Sequence, residues 1–123
     1  MIELFWVGLG GFVGAILRYQ ISLWTHRLVA GPFPIGTFVV NVIGCFFIGV
    51  LMTRVDQGEL PDQARVPLGA GLLGALTTFS TFGYETFDLL REGSPGLAVA
   101  NVMLNVLVGL GAVRLGVSVT QPS

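Results

Sequence analysis

From Leu28 to Thr53 the chain carries no charged side chain, and neither does the stretch from Val66 to Tyr84. A third uncharged run, Gly93 to Val113, continues past Arg114 towards Val119, and a fourth, Leu4 to Trp24, is interrupted only by Arg18. A bilayer core about 30 Å thick needs roughly 20 apolar residues of helix to cross it. Runs of that length predict an all-α membrane protein with four transmembrane helices, near residues 4–24, 33–53, 66–90 and 96–118, in one domain covering 1–123. The joining segments are short, and the one from Arg54 to Arg65 is polar and rich in turn residues.

Composition closes off the alternatives. Only 11% of the 123 residues are charged, whereas a soluble domain carries about 25%. Six arginines, seven acids and no lysine cannot coat a soluble enzyme. A net charge of −1 excludes a nucleic-acid binder held by phosphate contacts. Cys45 stands alone, so there is no internal disulfide or cysteine-based metal cluster, and His26 stands alone in a loop. Gly8-Leu-Gly-Gly-Phe-Val-Gly14 misses the dinucleotide spacing and follows no strand. The opening Met1-Ile2-Glu3 is acidic, so the first span is read as a retained helix rather than a signal peptide.

Eighteen glycines, with small residues at Gly10/Gly14, Ala70/Gly74, Gly71/Ala75 and Ala112/Gly116, predict close helix contacts and packing against another copy. Four spans place Arg54, Arg65 and Arg114 nearer one membrane face and Arg18, Arg27 and Arg91 nearer the other. The positive-inside rule needs an excess, and here the two sides balance. Such a chain can insert both ways, and opposite copies can then pair about an axis in the membrane plane. The alternative is a fixed orientation set by one dominant arginine.

Polar groups in hydrocarbon need a partner or a pathway. They are densest in Gly74-Ala-Leu-Thr-Thr-Phe-Ser-Thr-Phe-Gly83, where hydroxyls compete for backbone hydrogen bonds and disfavour regular helix. Unwound backbone there would expose carbonyls to a cation or N–H groups to an anion, and it must be buried or line a watery cavity. Phe79 and Phe82, at i and i+3, share a face. Asn101 and Asn105, at i and i+4, form an amide ladder that either glues helices or lines a polar track. Asn41 lies one helical turn beyond Thr37 with no charge nearby in sequence. Arg18 sits at about the depth of Glu85 and Asp88, which predicts an ion pair.

These residues resemble the Fluc/CrcB family of fluoride channels through nearly the whole chain. The matching stretches are Gly10-Gly-Phe-Val-Gly-Ala-Ile-Leu-Arg18, Gly36-Thr-Phe-Val-Val-Asn41, Gly74 to Phe82 with Glu85-Thr86, and Asn101-Val-Met-Leu-Asn105. The resemblance implies an antiparallel, dual-topology homodimer with a broken third helix and two fluoride pores. It implies that Phe79 and Phe82 present ring edges to fluoride and that Asn41 donates a hydrogen bond. Asn101 and Asn105 would continue the pore as a polar track, although some relatives carry hydroxyls at the positions of Gly109 and Val113. It further implies a structural sodium ion held by the backbone carbonyls of Gly74 and Thr77. The chemistry agrees: a small, strongly hydrated anion needs compact donors, which amides and the hydroxyls of Ser80 and Thr81 supply, and an aromatic ring has a positive edge. On this reading the chain sits among lipid in the cell inner (plasma) membrane and lets cytoplasmic fluoride leak out passively, lowering its toxicity. The alternatives are a dual-topology small multidrug transporter, whose first-helix glutamate is missing here, and a membrane scaffold built on glycine packing.

Overall fold

A computed structural model describes residues 1–121, and every regular element among them is helical. Helix α1 (Ile2–Leu28) and helix α2 (Ile35–Asp56) are each one uninterrupted span. A short 3₁₀ turn, Asp62–Arg65, leads into α3 (residues 66–76), which is π-helical over Val66–Leu73 and α-helical over Gly74–Leu76. Helix α4 (Phe79–Arg91) completes the third span, and α5 (Pro95–Thr120) is the fourth. Four stretches, Ile2–Leu28, Ile35–Asp56, Asp62–Arg91 and Pro95–Thr120, are long and apolar enough to cross a membrane.

The punctuation follows from residue chemistry. Pro34 immediately precedes α2, and Pro95 occupies the first turn of α5, where its missing N–H costs nothing. Gly58 (φ +78°) and Gly93 (φ +82°) take the left-handed conformation just beyond α2 and α4. In the 54–65 connection, Arg54 pairs with Glu59 at 2.6 Å and Arg65 with Asp56 at 2.7 Å. The π-helical stretch was not foreseen in the sequence. It begins beside Pro67, which has no amide to donate, and contains Gly69 and Gly71, so wide turns meet little side-chain resistance.

The small-residue spacings act inside the chain. A Cβ added to Gly10 would lie 2.1 Å from the Pro67 carbonyl oxygen, and one on Gly14 would lie 2.2 Å from that of Leu72. These contacts seat α1 directly on α3. On the other side, Gly49 faces the Val113 carbonyl and Gly116 faces that of Phe46, which locks α2 to α5. Backbones this close gain dispersion contacts that no longer side chain would permit. A core of Val40, Leu51, Val55, Leu73 and Leu76 fills the space between the helices. Phe5, Phe12, Leu107 and Leu110 point outward, as lipid-facing residues do.

Candidate functional site

The third span breaks at two residues. Thr77 (φ −83°, ψ 157°) and Thr78 (φ −147°, ψ 122°) are extended, and helix resumes at Phe79. Unwinding is therefore confined to Thr77–Thr78 rather than spread over the whole hydroxyl stretch. The reason is capping: Thr78 Oγ1 accepts from Thr81 N at 3.2 Å, so Phe79 to Phe82 form a regular first turn. On the other side, a Cβ on Gly44 of α2 would meet Thr77 Cγ2 at 2.1 Å, so only glycine lets the break approach α2.

Asn41 holds the break open. Its Oδ1 accepts from Thr78 N at 2.9 Å, and its Nδ2 reaches Thr78 O at 3.4 Å. The same Nδ2 donates to Asn105 Oδ1 at 3.0 Å. Asn105 Nδ2 in turn donates to Asn101 O at 2.8 Å and to Asn101 Oδ1 at 3.0 Å. Asn101, wholly buried, donates to Thr86 Oγ1 at 2.8 Å, and Thr86 donates to Phe82 O. A continuous chain of donors and acceptors thus links α2, α5 and α4 around the break. Beyond Asn105 it stops, because Gly109 packs on Cys45 Sγ and the Val113 carbonyl on Gly49. The polar track has no outer end within the described residues.

Beside this network lies a groove of about 410 Å³. Asn41, Cys45, Thr77, Phe79, Phe82 and Asn105 line it, and no charged side chain does. Phe79 and Phe82 have centroids 5.6 Å apart with planes at 54°, on one face as their spacing predicts. Phe79 is 82% exposed, whereas Phe82 is half-buried. Ser80 Oγ lies at 3.5 Å from Thr78 Oγ1, and Thr78 Oγ1 donates to Thr81 Oγ1 at 3.1 Å.

The break also leaves backbone oxygens without helical donors. In a continuous helix Thr78 N–H would aim at the Gly74 carbonyl, but it is given to Asn41 instead. The carbonyl of Ala75 loses its helical donor in the same way, and Arg18 Nε caps it at 3.0 Å. This corrects the expected ion pair of Arg18 with Glu85 or Asp88. Arg18 and Glu85 do line one polar cavity of about 290 Å³, yet no salt bridge joins them among the described residues. Asp88 pairs with Arg91, its neighbour one turn on. The orphaned carbonyl, which sequence spacing does not display, outcompetes the carboxylates for the guanidinium.

A family model described as "CrcB-like protein, Camphor Resistance (CrcB)" matches residues 5–117. The chain belongs to the CrcB family. Among curated relatives, a Shewanella sp. (strain W3-18-1) protein named "Fluoride-specific ion channel FluC" is 46% identical over 94% of either chain. A Sulfurovum sp. protein of the same name is 49% identical over 89% of this chain and 86% of its own length. A third, from Geotalea daltonii, is 43% identical over 98% of both. None of these supports the multidrug-transporter reading. As a CrcB protein with four spanning helices, the chain is a multi-pass membrane protein, and its family is one of ion channels rather than enzymes. Within the CrcB fold, Asn41, Phe79, Phe82 and Asn105 converge on one groove, with Asn101 behind it. What sequence reasoning missed is the direct link between Asn41 and Asn105, sixty-four positions apart.

Proposed function

We propose that this chain forms a passive, fluoride-selective channel that lets cytoplasmic fluoride leave the cell and so lowers its toxicity. The observation that carries the reading is the uncharged groove in which Phe79 and Phe82 flank Asn41. Ring edges and an amide N–H favour a small anion without a fixed cation that would hold it too long. Every amide hydrogen of Asn41 and Asn105 is engaged in the protomer, so the weakest bond decides the entry of an anion. That bond is the 3.4 Å contact from Asn41 Nδ2 to Thr78 O, which fluoride replaces at least cost. Ser80 and Thr81 add hydroxyl donors at the start of α4, whose N-terminal end is also favourable to negative charge.

A second copy in antiparallel orientation completes the pore in this reading. Support comes from the open side of the groove and from the exposure of Phe79, a poor arrangement for a ring that must meet an ion away from lipid. The arginines balance between the two faces, which permits both insertions. The Gly74 and Thr77 carbonyls would hold a structural sodium ion between the two copies. The fit is sound: Gly74 is exposed, its carbonyl has lost its helical donor to Asn41, and carbonyl oxygens are the ligands such a cation takes. Purified protein in liposomes, scored for fluoride efflux against chloride, tests the proposal. Fluoride efflux without chloride efflux is the expected result, and equal or absent efflux of both overturns it.

A further inference from the structure

Away from the Phe79 groove, α1 and α2 diverge around α3. At one end they touch, since a Cβ on Gly36 would lie 3.1 Å from Ser22 Cα. Further along, both helices lean on α3 instead, α1 through Gly10 and Gly14 and α2 against Gly69. A second cavity of about 390 Å³ opens there, walled by Leu17, Ile43, Phe47, Val50, Leu68 and Leu72. Its one charged lining residue is Arg54, in the last turn of α2.

Length and charge say what fits. Between Ile43 and Arg54 the groove follows α2 for about 16 Å at 1.5 Å per residue, close to the ~15 Å thickness of one leaflet's hydrocarbon. It begins at the membrane surface beside a guanidinium and ends near mid-membrane at Ile43, while the Gly36–Ser22 contact brings α1 onto α2 further on, towards the opposite face. A transmembrane helix of a partner needs twice that depth. We propose that the groove holds one acyl chain of a phospholipid whose phosphate rests on Arg54. Arginine suits a phosphate because its planar fork offers paired donors. Arg54 gives one nitrogen to Glu59 at 2.6 Å and keeps its side chain half exposed. The groove also uses a different side of α2 from the first: residues 43, 47, 50 and 54 here, residues 41, 44, 45 and 48 there. A second copy covering Phe79 would therefore leave this lipid site open.

The test uses the full chain in vesicles of phosphatidylethanolamine and phosphatidylglycerol, with a trace of phosphatidylglycerol carrying a diazirine on its acyl chain. After irradiation, adducts mapped by mass spectrometry should concentrate on Phe47, Val50 and Leu68 over the equally lipid-facing Phe5 and Phe12. Val50→Trp fills the groove and should cut those adducts about tenfold, equivalent to about 1.4 kcal/mol. Leu68→Trp, on the opposite wall, makes the same test should Val50→Trp not fold. Glu59→Gln frees the guanidinium and should raise phospholipid retention in native mass spectra, while Arg54→Gln should lower it. Adducts spread evenly over all exposed faces, or unchanged by both tryptophans, overturn the proposal. So does efficient disulfide cross-linking between two Leu68→Cys chains, which would mean that protein covers the groove.

Discussion

Replacing Asn41 by aspartate separates a pore role from a structural one. The carboxylate still accepts from Thr78 N, now as a charge-assisted bond, but it loses the donors to Asn105 Oδ1 and Thr78 O. Two neutral hydrogen bonds are worth about 0.5–1.5 kcal/mol each, and a bond to a charged group about 1.5–3. The charged bond replaces a neutral one already present at Thr78 N, so the gain is about 1–1.5 kcal/mol against a loss of about 1–3. Asn41→Asp should therefore be destabilised by up to about 2 kcal/mol yet still assemble. An anion in the groove fares differently. A unit negative charge 4 Å away raises its energy by about 4 kcal/mol at an effective dielectric of 20, which lowers its occupancy roughly a thousand-fold. The assay is fluoride efflux from liposomes, with size-exclusion profile and thermal midpoint measured on the same preparation. An Asn41→Asp protein that elutes like the parent and conducts fluoride at the parent rate refutes the placement of Asn41 in the ion's path.

Phe79→Ile and Phe82→Ile keep apolar bulk but remove the ring edge, so fluoride efflux should fall sharply in both; normal efflux in both disproves the aromatic-edge mechanism. Asn105→Leu should reduce efflux less than Asn41→Asp, because Asn101 remains one turn away. Arg54→Ala with Arg65→Ala removes three exposed ion pairs worth about 0–1 kcal/mol each, so the protomer should fold while terminal tags shift from both membrane faces to one. Gly116→Ala drives a Cβ to 2.1 Å from the Phe46 carbonyl and should lower the thermal midpoint, whereas Gly83→Ala meets nothing within 4 Å in the protomer; a matching loss at Gly83 would mark it as covered by another chain. Replacing sodium by a much larger cation should weaken dimer or conduction, while Thr77→Ser, which spares the carbonyl, should be mild.

The spans and the place of the break were legible because charge-free runs and a hydroxyl cluster are local signals. So was the shared face of Phe79 and Phe82, which helical spacing alone dictates. Tertiary competition hid the rest. Arg18 reads as a partner for carboxylates until the carbonyl of Ala75, fifty-seven positions downstream, is known to be stranded by the break at Thr77–Thr78. The breadth of the unwinding was overestimated because Thr78, which looks like a helix breaker, serves as a cap. The glycine pairs suggested contact between copies, yet Gly10, Gly14, Gly71 and Gly116 all press on this chain's own backbone.

That last arrangement bears on the order of events in biogenesis. With α1 seated on α3 and α2 on α5 by contacts internal to one polypeptide, the bundle does not wait for a companion to acquire its shape. If both insertions occur, as proposed, the same body would result either way up, and an inverted copy would be equally finished. The proposed pairing would then be a lateral collision in the bilayer, second order in the number of chains per unit area. Sparse expression would leave folded, solitary subunits rather than misfolded ones.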